Sequence, residues 1–270
     1  MKLLSGTELV GYIKERQAKQ VRALRQAHGV FPRLSIVQTI DDPVIDTYVR
    51  LKKAYGSDIL IDVDAQKVSQ DNIIEVVDSL NDDHTIHGIV VQLPLADKNQ
   101  TEAVVNAVAP QKDVDGLGDQ PEFDPATALA INWLCAGYNI NLAEQNILII
   151  GQGKLVGAPL TAMWRASGYD VATADSTTLD LKQACRAASL IVSGAGSAGL
   201  LTSVMISPDT VVIDAGTASE GGVIMGDVHP DVYLRQDISI TPMRGGVGPL
   251  TIAALFDNVI RAAQATITKA

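Results

Sequence analysis

Residues 146–168, NILIIGQGKLVGAPLTAMWRASG, place four consecutive aliphatic side chains directly before three glycines. The run 147–150 is too short for a helix and fits a buried strand. Gly151, Gly153 and Gly157 follow with the spacing GxGxxxG, one residue longer than the commonest dinucleotide fingerprint. Gly151 suits the tight turn that leaves the strand, and Gly153 lets a pyrophosphate approach backbone N–H groups. The helix that follows supplies partial positive charge at its amino end, and Pro159 is early enough in it to be tolerated. The next strand, YDVATAD, ends in Asp175, 24 residues after Gly151. A carboxylate there commonly accepts hydrogen bonds from an adenosine ribose; capping the next helix is the alternative. The absence of a GK[ST] ending excludes a Walker A loop.

Strands and helices alternate on both sides of this stretch. Toward the amino end, an amphipathic helix over 8–27 carries Leu9, Ile13, Val21 and Leu24 on its apolar face. FPRLSIVQTI, DILIDVDA and HGIVVQLPLA follow as strand candidates. TYVRLKKAYG, SQDNIIEVVDSLNDD (with Ser69 or Asp71 as cap) and TEAVVNAVAP follow as helices. The segment 112–126, KDVDGLGDQPEFDPA, has no period and fits a linker or binding loop. Alternation restarts with ATALAINWLCAG, continues through a helix over 179–188, SLIVSGAG and TVVIDAG, and ends in a glycine-rich turn and a long helix. The pattern predicts two α/β domains on mostly parallel sheets. The expected division is 1–120, completed by a helix over 248–268, and a Rossmann-type domain over 121–243.

Lys plus Arg total 21 against 31 Asp plus Glu, a net charge of −10 with no basic block, which argues against nucleic acid as a partner. The two cysteines, Cys135 and Cys185, lack ligand spacing, so neither a metal site nor a disulfide framework is expected. The amino terminus turns polar after two leucines, and no apolar run reaches membrane-spanning length, so a cytoplasmic protein with no membrane partner is expected.

TYVRLKKAYG, residues 47–56, holds two tyrosines and three basic side chains. If helical, it sets Tyr48 and Lys52 one above the other. That geometry is ordinarily a solvated helix face, and it also allows a ring to wall a lysine amine off from water.

YVRLK, HGIVVQLPLA, PQKDVDGL, IIGQGKLVGAP, VVIDAG, GDV and TPMRGGVGPLT, in this order, resemble segments of the bifunctional methylenetetrahydrofolate dehydrogenase/cyclohydrolase family. The resemblance implies two α/β domains flanking a cleft, a folate substrate, NADP as cofactor and a homodimer. It implies oxidation of 5,10-methylenetetrahydrofolate to the methenyl cation and hydrolysis of that cation to 10-formyltetrahydrofolate. By the same resemblance Lys52 is the catalytic lysine, Tyr48 stacks on the folate ring, Gln92 holds the lysine or substrate, and Asp115 reads the pterin's amidine edge. Leu93, Pro94, Gly246 and Pro249 are implied at the substrate, and Gln152, Val156, Ser176 and Thr217 join Gly151, Gly153, Gly157 and Asp175 at the cofactor. Burial beside Tyr48 would lower the Lys52 pKa and free its amine to deprotonate water, leaving Lys53 as the solvated neighbour.

The chain departs from the family pattern at several points. Asp41 and Ile45 stand where glycine and serine are usual, EFDPAT replaces a Pro-Cys-Thr-Pro element, and Arg244 precedes Gly245-Gly246 in place of proline. Gln152 and Gly153 stand where Arg or Ser is frequent, and Asp175-Ser176 replaces a His-Ser pair. A carboxylate near the adenosine ribose repels a 2′-phosphate, so NAD is a possible cofactor beside NADP, unless Lys154 or Arg165 reaches the phosphate. A monofunctional NAD-dependent dehydrogenase, a non-catalytic folate or nucleotide sensor and a purely structural α/β protein are the alternatives.

Overall fold

In a computed structural model, which describes residues 1–220 and 223–268, the chain divides into two compact units, Met1–Val10 with Thr127–Thr251 and Gly11–Ala126 with Ile252–Ala270. The elements in chain order are β1 (Lys2–Leu3), α1 (Gly6–His28), β2 (Arg33–Gln38), α2 (Pro43–Asp58), β3 (Asp62–Lys67), α3 (Ile73–Asp82), β4 (Gly88–Val91), α4 (Thr101–Ala107), α5 (Ala126–Gly137), β5 (Ile147–Ile150), α6 (Gly157–Ala166), β6 (Val171–Ala174), α7 (Leu181–Ala187), β7 (Leu190–Ser193), β8 (Val211–Asp214), β9 (Ala218–Glu220), β10 (Val223–Met225), β11 (Ser239–Ile240) and α8 (Val247–Thr268).

In the Gly11–Ala126 unit, β2 lies between β3 and β4 in a parallel sheet. The chain leaves β2 through α2 to β3 on one side, then crosses through α3 to β4 on the other, and so creates a switch point between β2 and β4. Helix α2 starts where Asp42 accepts from the backbone N–H groups of Val44 (2.8 Å) and Ile45 (3.1 Å), with Pro43 in its first turn. It buries Ile45, Val49 and Tyr55. The Tyr55 hydroxyl donates to Gln17 Oε1 (2.7 Å), and its ring stacks on Phe256 at 5.1 Å. Ile73, Val77, Ile89, Val91, Val104 and Val105 fill the core under α3 and α4. Each such side chain, once fully buried, contributes about 1.5–3 kcal/mol. Neither Ser69 nor Asp71 caps α3. A 3-10 turn over Gln70–Asn72 runs straight into it, and Ser69 makes no side-chain cap bond.

The other unit carries a parallel six-stranded sheet in the order β1-β11-β8-β7-β5-β6. Here too the chain goes one way from β5, through α6 to β6, and then crosses through α7 to β7 on the other side, giving a switch point between β5 and β7. Trp164 of α6 is 1% exposed, and its indole N–H donates to Asn132 Oδ1 of α5 (3.3 Å).

The first ten residues depart from the expected division. Lys2 N–H donates to the Ile238 carbonyl and Leu4 N–H to the Ile240 carbonyl (3.0 and 2.9 Å), which makes β1 an edge strand of the six-stranded sheet. Two residues are too few to show a period. The first turns of α8, through Thr251, also belong to this unit, and with them Pro249. Helix α7 begins at Leu181 and leaves Leu179 exposed, because Asp180 caps it through Gln183 N–H (2.8 Å). Among the described residues, no helix is long and apolar enough to cross a membrane.

Candidate active site

Gln92 is the first residue beyond β4, at the carboxyl end of the β2/β4 switch point, and its N–H donates to the Val37 carbonyl (2.8 Å). That bond fixes the backbone, and the Gln92 side chain accepts from Lys52 Nζ of α2 at 2.8 Å. The Gln92 amide nitrogen donates back to the Leu93 carbonyl (3.3 Å), which fixes which end of the amide faces the lysine. Burial pushes the Lys52 amine below the ordinary lysine range, and the Asp115 charge works against that shift. Burial pushes Asp115 up, Lys52 pulls it down, and the nearby Asp113 pushes it up again. Tyr48, one turn before Lys52, is half-buried, and its hydroxyl is pushed up by burial. Lys53 is exposed.

The segment 112–116, KDVDG, earns each of its residues. Lys112 Nζ donates to the carbonyls of Leu80 (2.9 Å), Asn81 (2.6 Å) and Asp83 (2.8 Å), closing the end of α3. Asp113 pairs as a bridge with Ile89 of β4. Its buried carboxylate accepts from the N–H groups of Gly116 (3.0 Å), Leu117 (3.3 Å) and Gly118 (2.7 Å), folding the loop around itself. Gly116 takes φ +68°, and a Cβ there would press on the Phe123 carbonyl and Pro125 at 2.9 Å. Asn258, fully buried in α8, donates to the carbonyls of Val114 (2.9 Å) and Asp124 (3.0 Å) and clamps both ends of the loop. The backbone around Asp115 is thus held by its neighbours, and its carboxylate and the Lys52 amine shift each other's protonation. Asp113 and Asn258 hold this loop, a part that sequence reasoning did not assign to them. The signals were an Asp three residues before a glycine and a lone amide on the apolar face of a long helix.

At the β5/β7 switch point the contributions come from the backbone. Gly151 takes φ +83°, and a Cβ on it would lie 2.6 Å from Ala195 Cα. A Cβ on Gly157 would overlap the Gly151 carbonyl oxygen. Gly153 is exposed, and a Cβ there would meet nothing within 4 Å. Gly151 and Gly157 therefore shape the turn, while Gly153 keeps open space in front of α6. Val156 precedes α6 and offers no side-chain cap, so backbone N–H groups stand at the helix entrance. This cradle fits the diphosphate of a dinucleotide. Gln152 lies between the Gly151 carbonyl (3.2 Å) and the Thr161 hydroxyl (3.3 Å).

Asp175 directly follows β6 and is exposed. Its Oδ1 accepts from Thr177 N–H (2.9 Å) and the Thr177 hydroxyl (2.6 Å), which hold the carboxyl below the usual range. The helix-cap alternative belongs to Asp180 instead. Arg165 donates to the Val171 carbonyl (2.7 Å) at the opposite end of β6, while Lys154 is exposed beside the glycine loop. Ser176 and Thr217 are exposed, and Val156 is half-buried. Leu93 and Pro94 directly follow Gln92 and stand with Tyr48, Lys52 and Asp115 in one unit, whereas Gly246 and Pro249 belong to the other. Gly246 carries the carbonyl against which Gly6 packs. Among the described residues, no three His, Cys, Asp or Glu side chains gather to hold a metal.

Two family models match consecutive parts of the chain. The catalytic domain of tetrahydrofolate dehydrogenase/cyclohydrolase matches residues 4–115, and its NAD(P)-binding domain matches residues 125–267. The bifunctional protein FolD of Amoebophilus asiaticus is 35% identical, over 97% of this chain and 96% of its own length. The chain is also similar in structure to the bifunctional methylenetetrahydrofolate dehydrogenase/cyclohydrolase of Campylobacter jejuni, with a TM-score of 0.91, 32% identity and coverage of 98% and 99%. A Trypanosoma brucei dehydrogenase-cyclohydrolase, solved with NADP and an inhibitor, gives a TM-score of 0.91 at 27% identity, covering 98% of each chain. With both halves matched in order and relatives covered almost end to end, this chain belongs to the tetrahydrofolate dehydrogenase/cyclohydrolase family.

Proposed function

We propose that Lys52, Gln92 and Asp115 carry this family's two reactions in one site, the oxidation of 5,10-methylenetetrahydrofolate to the methenyl cation and its hydrolysis to 10-formyltetrahydrofolate. The observation behind this assignment is the 2.8 Å hydrogen bond from a lysine amine with a depressed pKa to a glutamine fixed at the end of β4. An ammonium would oppose the positive charge that grows as hydride leaves, and burial, which favours the neutral amine, lessens that opposition. Gln92 Oε1 holds an N–H of that amine, which directs the nitrogen lone pair elsewhere. During hydrolysis Lys52 takes a proton from water as its oxygen bonds to the methenyl carbon. The same proton then serves the departing ring nitrogen as the C–N bond breaks, and the remaining hydroxyl proton leaves to solvent as the formyl carbonyl forms. Asp115 accepts two parallel hydrogen bonds from the pterin's amino-pyrimidinone edge, Tyr48 lies along the ring, and Leu93, Pro94, Gly246 and Pro249 line the substrate.

The nicotinamide cofactor, held by Gly151, Gln152, Gly153, Val156, Gly157, Asp175, Ser176 and Thr217, supplies the acceptor for the departing hydride. NADP, which the Trypanosoma relative binds, is the proposed cofactor, with NAD favoured to the extent that Asp175 faces the ribose. The working form is a cytoplasmic homodimer acting on small molecules and on no nucleic acid. The test is one assay with methylenetetrahydrofolate and each nicotinamide cofactor, following reduced cofactor and methenyl absorbance separately. Reduced cofactor should form while methenyl product decays. Stable accumulation of the methenyl product would leave a dehydrogenase alone.

A further inference from the structure

Two short segments, IDAG (213–216) and GDV (226–228), have no part in either reaction as described, yet they interlock. Asp214, at the end of β8, accepts from the N–H groups of Gly216 (3.0 Å), Asp227 (3.1 Å) and Val228 (3.1 Å). A Cβ on Gly216 would overlap the Asp227 carboxylate, and a Cβ on Gly226 would overlap that of Asp214. Each glycine makes room for the other segment's acid. Asp227 is fully buried and accepts three bonds of 2.7 Å, from the Ser193 hydroxyl and Ala195 N–H on Oδ2 and from Ser197 N–H on Oδ1. These donors are the end of β7 and the loop beyond it. That loop is the other wall of the β5/β7 switch point. Gly194 N–H donates to the Ile150 carbonyl (2.9 Å), Ala195 packs on Gly151, and a Cβ on Gly194 would lie 2.8 Å from Val156 Cγ1.

We propose that Asp227 is a positioning residue for the nicotinamide dinucleotide: it pins residues 194–197 against the glycine loop and so sets dinucleotide affinity without taking part in folate hydrolysis. The proposal rests on the glycine loop being the cofactor site. The chemistry favours a carboxylate and not an amide. All three donors need acceptors, and an Asn would turn an N–H₂ toward at least one of them.

The test uses the full chain with Asp227→Asn and Ser193→Ala. NADPH and NADH dissociation constants come from fluorescence titration, and hydrolysis of methenyltetrahydrofolate is measured without dinucleotide. Asp227→Asn should weaken dinucleotide binding at least about tenfold, and Ser193→Ala by a smaller factor in the same direction, as expected for bonds to a buried charge. Hydrolysis, carried by Lys52 in the other unit, should persist in both. Unchanged dinucleotide affinity in an Asp227→Asn protein that still hydrolyses would overturn the proposal, as would parallel loss of affinity and hydrolysis in both variants. If Asp227→Asn does not fold, unchanged affinity in Ser193→Ala overturns it. A wild-type protein that binds dinucleotide but hydrolyses nothing would instead count against the folate assignment.

Discussion

At the carboxyl end of β4 the chain presents side chains; at the carboxyl end of β5 it presents backbone. Both places are switch points of parallel sheets, reached by the same order of crossovers. At the first, an amine, an amide and a carboxylate occupy a partly desolvated region, and the amine and the carboxylate shift each other's protonation. At the second, two glycines make room for close backbone approach and a third leaves space open. The difference bears on the departures at the glycine loop. Under the proposed assignment, proton transfer and folate recognition need particular functional groups at positions 48, 52, 92 and 115. Diphosphate binding uses backbone N–H groups, which every residue but proline carries, so it places little demand on the side chain at positions 152 and 153.

The largest effect should come from the side-chain site. Lys52→Met should cut methenyl hydrolysis by about 10²–10⁴-fold, the usual contribution of a general base, while Lys53→Met stays within a few-fold of wild type. Loss of fold is not the expected cause. A lysine with a depressed folded-state pKa binds fewer protons folded than unfolded, so its stability penalty is full below the folded value and fades as pH rises toward the unfolded one. Removing the amine at neutral pH removes that penalty, and the melting temperature should not fall. Equal losses from both variants, on folded protein, would erase the distinction between the two lysines.

Next in size is Asp115→Asn, which keeps shape but opposes a donor to a donor. Folate binding should weaken by about 2–5 kcal/mol, with both activities falling together and dinucleotide affinity unchanged. Normal folate affinity would remove Asp115 from the site.

The smallest effect belongs to the backbone site. Asp175→Ser should move the ratio of kcat/KM for NADP over NAD toward NADP by about tenfold, or 1.4 kcal/mol. Arg165 gives its guanidinium to the Val171 carbonyl, which leaves Lys154 as the nearby cation. An unchanged ratio would mean that Asp175 serves only the Thr177 turn.

Much of the architecture was legible from period and punctuation. The α5 range matches the expected 126–137, and β5, α6 and β6 follow the glycine spacing. Elements with no period of their own were not legible. Strand β1 is two residues long and pairs with the edge of β11, and among the described residues β9 and β10 are three-residue strands that pair only with each other. The start of β3 moved from 58 to Asp62 because α2 extends through Asp58. In the site, Lys52 and Gln92 lie 40 residues apart, so only tertiary structure brings them into contact. Asp113, Asn258 and Asp227 do their work largely through bonds with backbone groups, which leave no mark in a side-chain pattern.

The central claim is that Lys52 works as a neutral amine. The most direct measurement is the pH dependence of methenyltetrahydrofolate hydrolysis without dinucleotide, corrected for the uncatalysed reaction, in wild type and Lys52→Met. Burial lowers the Lys52 pKa, so the wild-type rate should rise with pH through a midpoint below the ordinary lysine value of about 10.4, and the variant should lack that limb. A wild-type limb that persists unchanged in Lys52→Met would contradict the claim.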